Sequence, residues 1–341
     1  MKILKYLFFL ILLVVIAGTL YFAAQDGTYE ISQTKQIQAP RAVVFNTVNE
    51  LKSWQHWGPW QEEDPSMQFQ YPNLTQGVGA SYSWTGEMDG SMSTTALVPN
   101  ESITQELVLQ TPGGERKPQV EWTFQQMEPG GTEVQWSISG EHTLMDKAYY
   151  AFSGMDFDAQ MNEMFTKGLT NLAQHIQEKI SAYTINVDGV TEYSGGYYLY
   201  QTAAATAENM TQVMGRQFGS IMEFMQNNNI KQSGMPFTLY VQMNDVNGDV
   251  IMTNAIPVNE RIIVPLDSNT LCDFQPATKA LKTTLRGNYE HLSEAWDQSY
   301  TYLKQNELEA SAQNPFEIYV TDPGEFPNPA DWLTEIYIPL K

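Results

Sequence analysis

The stretch 235-MPFTLYVQ-242 returns as 314-NPFEIYVT-321, and this recurrence decides the fold of the C-terminal half. Phe237 and Phe316 are 79 positions apart (316 − 237), and the same offset carries Pro236 to Pro315, Tyr240 to Tyr319, Val241 to Val320 and Asn227 to Asn306. Each copy reads as strand, long helix, strand and a further strand. The first helix is expected over about 211–227, with Met214, Phe218, Ile221, Met222 and Met225 inward. The second is expected over about 289–305, with Leu292, Trp296 and Leu303 inward. Two such copies facing each other predict a pseudo-two-fold α+β domain over 181–341 with a cleft between them.

Strand parity sharpens this reading, because alternate side chains point to opposite faces. Phe237, Leu239 and Val241 lie opposite Thr238, Tyr240 and Gln242, and Phe316, Ile318 and Val320 lie opposite Glu317 and Tyr319. The terminal 333-LTEIYIPLK-341 sets Ile336, Ile338 and Leu340 against Glu335 and Tyr337. A half-solvated antiparallel sheet alternates in the same way. The repeat favours the other reading, in which apolar faces meet the helices and the Tyr-plus-polar faces line a cleft. Tyrosine walls with one carboxylate suit a flat, apolar and often cationic molecule, through dispersion, cation–π attraction and counter-charge. Glu317, Asp322 and Glu325 are expected on solvated turns, since 321-TDPGEFPNP-329 is turn chemistry.

Three segments, 288-NYEHLSEAWDQSYTYLKQN-306 with its preceding Arg286-Gly287, 315-PFEIYVTDP-323 and the terminal LTEIYIPLK, resemble the GyrI-like family of effector-binding, multidrug-sensing domains. The resemblance covers 181–341. It implies a ligand-binding role for Glu335, with Tyr289 nearby, and the aromatic wall adds Tyr337, Tyr319, Tyr240 and Trp296. A His-x-Gly-Pro-Tyr-like segment common in the family is replaced here by LRGNYE, which removes any role carried by that histidine.

Upstream, 28–180 reads as a strand (28-TYEISQTKQIQAP-40), a helix opened by Pro40 with Val44, Phe45, Val48 and Leu51 on one face, and several short strands. Met88-Asp89-Gly90 and Pro129-Gly130-Gly131 supply hairpin turns. A long amphipathic helix follows over 158–180, striped by Met161, Met164, Phe165, Leu169, Leu172, Ile176 and Ile180. The segments IQAPRAVVFNTVNELKSWQHWGPW, GVGASYSW and GTEVQWSISG resemble the SRPBCC superfamily (START-like, polyketide-cyclase-like), which implies a helix-grip fold with an apolar cavity. Trp54, Trp57, Trp60, Tyr82, Trp84, Trp122 and Trp136 would either line that cavity or pack as core.

Residues 1–27 carry Lys2 and Lys5 ahead of an uncharged apolar run from Tyr6 to Ala24, about the length a helix needs to cross a bilayer. Phe22 at the minus-three position makes a poor cleavage site before Gln25, so an uncleaved single-pass anchor is expected. The positive-inside bias keeps the N-terminus cytoplasmic and the rest extracytoplasmic, periplasmic in a Gram-negative cell. With 18 basic and 39 acidic residues the net charge is −21, which disfavours nucleic acid as a partner. The single cysteine, Cys272, excludes an intramolecular disulfide, and the scattered His56, His142, His175 and His291 form no metal-binding spacing. No cofactor motif is present. The expected function is binding or sensing of a small lipophilic molecule, with no catalytic residue. The alternative is a hydrolase of strained electrophiles with Glu335 as general base.

Overall fold

The computed structural model describes residues 2–341 apart from Pro112, Pro129 and 245–247, so Pro129 of the second hairpin turn lies outside the described residues. The chain is mixed α+β, with two compact units, 1–179 and 180–341.

In the first unit, α1 (Lys2–Ala24) precedes β1 (Thr28–Ile37), α2 (Arg41–Asn49), a 3-10 turn (Leu51–His56) and α3 (Trp60–Glu63). There follow β2 (Gln68–Gln70), β3 (Ser81–Thr85), β4 (Gly90–Val98), β5 (Ser102–Thr111), β6 (Gly114–Arg116), β7 (Gln119–Gln126), β8 (Thr132–Glu141), α4 (Leu144–Ser153) and α5 (Phe157–Ile180). The strands form one antiparallel sheet ordered β1-β8-β7-β5-β4-β3-β2, with β6 on β5. The stripe of α5 is buried at Phe165, Leu169, Leu172 and Ile176. By length and composition α1 is apolar enough to cross a membrane.

The tryptophans pack on one another inside this unit. Trp122 stacks on Trp136 at 4.5 Å between ring centres, Trp136 on Phe165 at 4.2 Å, and Trp54 on Trp60 at 5.6 Å. Trp54 Nε1 donates to Val48 O, and Trp122 Nε1 to Gln105 Oε1. Trp136 Nε1 is buried and finds no acceptor among the described residues. Gly168 of α5 leaves room for the Trp136 ring, since a Cβ there would sit 2.7 Å from Trp136 Cζ3. These rings therefore form core across the sheet–helix interface, where a family cavity would lie.

The second unit contains β9 (Thr184–Tyr193), β10 (Gly196–Ala205), α6 (Met210–Asn227), β11 (Phe237–Met243), β12 (Val250–Val258), β13 (Leu271–Gln275) and β14 (Thr278–Arg286). A 3-10 turn (Tyr289–His291), α7 (Leu292–Gln305), β15 (Phe316–Tyr319) and β16 (Leu333–Pro339) complete it. The second helix starts three residues later than the periodicity predicts, because the Asn288 side chain caps a 3-10 turn by accepting from Glu290 N. The sheet runs β13-β10-β12-β11-β15-β16-β14-β9. Each copy supplies three consecutive strands, β10-β12-β11 and β15-β16-β14, and the copies meet at β11–β15. There Thr238 pairs antiparallel with Glu317, and these two residues are themselves 79 apart (317 − 238), so the pseudo-two-fold axis passes between them.

Strands β9 and β10 are joined by two residues, yet β9 stands at one end of this order and β10 second from the other, so the sheet curls. Its enclosed face is aromatic: Tyr193 of β9 lies 4.8 Å from Phe316 and 5.4 Å from Tyr337, and Tyr198 of β10 lies 5.2 Å from Phe237. The helices cover the other face. There Trp296, Ala295 and Leu303 of α7 pack with Leu281, Leu285, Ile336 and Ile338. On the same face Ile221 and Met225 of α6 pack with Leu199, Ile256 and Val258.

Candidate functional site: a buried carboxylate on the pseudo-two-fold axis

Residues paired across an antiparallel ladder share a face. Glu317 is paired with Thr238 on one side and Ile336 on the other. It therefore lies on the helix-covered face, and Trp296 Nε1 of α7 donates to its Oε1 at 2.6 Å. The hydroxyl of Tyr240 donates to Oε2 at 2.9 Å, and that of Tyr319 lies at the same distance. Glu317 is 1% exposed, and among the described residues no cation is paired with it. This corrects the expectation that Glu317 sits on a solvated turn. The turn chemistry begins only after β15, and the cross-strand partners place the carboxylate at the base of the helix layer.

The neighbourhood is an imperfect two-fold copy of itself. Tyr240 and Tyr319 are equivalents under the 79-residue offset, as are Gln217 and Trp296 (296 − 217). On the Thr238 side, Thr238 Oγ1 donates to Asn254 Oδ1 at 2.6 Å, and Asn254 Nδ2 donates to Gln217 Oε1 at 2.6 Å. Tyr319's hydroxyl is 3.1 Å from Thr238 Oγ1, so its single proton lies between the two halves. The copies differ where it matters electrically: one presents a threonine, the other a carboxylate. Half-buried rings stand above this base. Phe218 of α6 meets Tyr319 edge-on at 6.1 Å, Tyr289 meets it at 5.8 Å, and Trp332 lies 4.8 Å from Tyr289.

Burial raises the Glu317 carboxyl above the usual carboxylate range, although the bonds from Trp296, Tyr240 and Tyr319 pull in the other direction. Tyr240 and Tyr319 are pushed well up by burial first and then by the Glu317 charge. Tyr289 is pushed up to about 12 by burial, then by Glu317 and Asp322. All three phenols are thus neutral hydrogen-bond groups at physiological pH.

Four of the residues singled out in the sequence converge here: Tyr240, Tyr319 and Trp296 on the carboxylate, and Tyr289 above it. Glu335 and Tyr337 do not join them. Glu335 pairs with Ile318, and Tyr337 with Phe316, so both belong to the enclosed face. Tyr337 stacks on Phe316 at 5.1 Å and donates to Glu335 Oε2 at 2.9 Å, while Lys282 Nζ meets Glu335 Oε1 at 2.8 Å. Both carboxylate oxygens are committed, and the charge already has a partner. Parity within a strand orders its side chains correctly but leaves open which face meets the helices. Only register fixes that, and it gives β11 and β15 a polar helix-side face and β16 an apolar one. Sequence reading did not name Asn254, Gln217 or Trp332, and it named Thr238, Phe218 and Glu317 without a site role, assigning Glu317 to a turn. The offset equivalence of Thr238 and Glu317 was the signal that marks the axis. Among the described residues no group of three or more His, Cys, Asp or Glu side chains is placed to hold a metal.

The curled eight-stranded sheet of paired strand–helix–strand–strand units defines the class of a duplicated α+β domain whose copies meet at β11–β15. Residues 275–341 match the family model described as GyrI-like small molecule binding domain, and residues 38–176 match that of Activator of Hsp90 ATPase homolog 1-like protein, an SRPBCC-like domain. The chain therefore carries one domain of each kind. Among solved structures, the crystal structure of the EcmrR C-terminal domain is 17% identical, covering 47% of this chain and 98% of that one at a TM-score of 0.41. The solution structure of the Aha1 dimer from Colwellia psychrerythraea is 16% identical, covering 43% and 94% at a TM-score of 0.32. No curated protein sequence matches the chain.

Proposed function

We propose that the second unit binds a flat, apolar, cationic small molecule between α6 and α7, with Glu317 as counter-charge, and that α1 holds the protein in a membrane. The GyrI-like match supports small-molecule binding as such. The cationic preference rests on one observation: a carboxylate 1% exposed, held by three neutral donors and, among the described residues, by no cation. Isolated buried charge is costly, and a ligand cation relieves that cost. Rings of Phe218, Tyr289, Tyr319 and Trp332 supply faces for dispersion and cation–π contact. Since Glu317 is closed over, a ligand that reaches it must part these rings. Residues 28–341 then lie outside the cytoplasm, with Lys2 and Lys5 retained inside. The protein would sense, buffer or carry its ligand.

The test is native mass spectrometry of the full chain purified in detergent from its own cells, followed by titration of whatever cation co-purifies. A co-purifying aromatic cation displaced by Glu317→Gln supports the reading. Preparations carrying only neutral ligands, with Glu317→Gln unaffected, would overturn it.

A further inference from the structure

We propose that α4 is a second membrane contact: a short amphipathic helix lying in the headgroup–acyl boundary of the bilayer that α1 crosses. The inference rests on the reading of α1 as a membrane span.

Helix α4 has no buried residue, yet it is firmly held. Its start is a capping box in which Thr143 accepts from Asp146 N and the Asp146 carboxylate accepts from Thr143 N. Arg116 of β6 grips that carboxylate with two bonds of 2.8 Å. Gly154, at φ 71°, ends it. On its inner side Lys147 Nζ reaches the last turn of α1 and the residue beyond, donating to Phe22 O at 3.4 Å and Gln25 O at 2.5 Å. A cation at those carbonyls suits the negative end of the α1 dipole. Phe152 meets Phe22 edge-on at 6.1 Å, and Gly27 has no space for a side chain, because a Cβ would collide with Lys147 and His142 O. So α4 is locked beside the end of the span.

The face this leaves open is apolar. Met145, Tyr149 and Phe152 stand at i, i+4 and i+7 and are 63, 56 and 85% exposed. Tyr21, on the last turns of α1, is exposed as well. Tyrosine and phenylalanine beside a span end are the residue types of an interfacial belt. A protein of net charge −21 gains nothing from anionic headgroups, so the contact is an apolar one to zwitterionic lipid.

The test uses the full chain with Cys272→Ser, reconstituted in phosphatidylcholine vesicles. An environment-sensitive fluorophore is placed at one introduced cysteine: Val14→Cys in the span, Phe152→Cys on α4, or Gln177→Cys on the exposed side of α5. Lipids carry a nitroxide either near the headgroup or near the chain end. The expected result is deep quenching at 14, blue-shifted emission with shallow quenching at 152, and none at 177. A second label at Met145→Cys should show the same shallow quenching and lose it when Tyr149→Glu and Phe152→Glu are added. If 152 and 145 behave like 177 while 14 is quenched, α4 stands in water and the inference fails with the span intact. If 14 is not quenched, the span reading fails and this inference with it.

Discussion

Replacing Glu317 by Gln separates counter-charge from shape. The amide keeps one acceptor, which must face Trp296 Nε1 because an indole can only donate. Its NH2 then meets the hydroxyls of Tyr240 and Tyr319, which rotate to accept, and Tyr319 can give its proton to Thr238 Oγ1, 3.1 Å away. The fold therefore loses little, and it sheds a desolvated charge. A cation about 4 Å from the carboxylate gains about 4 kcal/mol at an effective dielectric near 20. Part of that is spent on desolvating the cation. A net loss of about 2–3 kcal/mol is expected, some 30- to 150-fold in affinity. The assay is fluorescence or calorimetric titration of the full chain with N-methylacridinium and with neutral acridine, which have nearly the same shape. Glu317→Gln should weaken the cation by that factor and acridine by less than about twofold, an estimate set by the conserved packing. Glu335→Gln should change neither, because Lys282 already neutralises that carboxylate. Equal losses for both ligands, or a larger effect at Glu335, would refute the reasoning.

Other perturbations follow from the same contacts. Because the native pKa of Glu317 is raised, the native state holds a proton that the unfolded chain releases, so Glu317 costs stability increasingly as pH rises from the ordinary glutamate range through its native pKa. Urea melts against pH should show that falling slope in the wild type and lose it in Glu317→Gln. The same shift makes cation affinity drop on acidification earlier than an ordinary glutamate would, measurable as Kd against pH. Gly168→Ala in α5 gains roughly 1 kcal/mol of helix propensity but drives a methyl against the stacked Trp136 ring, so net destabilisation of about 1–2 kcal/mol is expected by thermal melting. Arg116→Ala removes the ion-pair partner of the partly buried Asp146 at the start of α4, while the Thr143 bonds to that carboxylate remain, and should cost about 1–2 kcal/mol. Burial alone would raise Asp146, but the bonds from Arg116 and Thr143 outweigh it and hold the carboxyl below its ordinary value. Its contribution is therefore present above the ordinary aspartate range and disappears as pH falls through the lowered native pKa, which acid melts of the two proteins would check.

Much of the architecture was legible because periodicity reports burial. The helix stripe from Phe165 to Ile176, the alternation of β8 and the 79-residue repeat each follow from a side chain needing one face to be apolar. Helix α4 was not read from the sequence: its apolar face is three residues wide and meets no core, and the start and stop signals it does carry, Thr143-x-x-Asp146 and Gly154, are weak without a longer apolar stripe between them. The tryptophans were legible as large apolar rings, but whether they line a cavity or fill it depends on distances of a few ångströms between β7, β8 and α5.

The site divides in the same way. The sequence by itself determined that Tyr240 and Tyr319 are equivalents, that one copy carries an acidic residue where the other has threonine, and that a strand ends the chain with Glu335 and Tyr337 on one side. Tertiary structure alone decided which carboxylate is isolated. Side-chain alternation is a property of one strand, while the face a strand turns to the helices is set by its hydrogen-bond register with neighbours far along the chain. Pairing Glu317 with Thr238 and Ile336 brings it under Trp296, with no cation beside it among the described residues, and pairing Glu335 with Thr284 and Ile318 sends it to the other face beside Lys282.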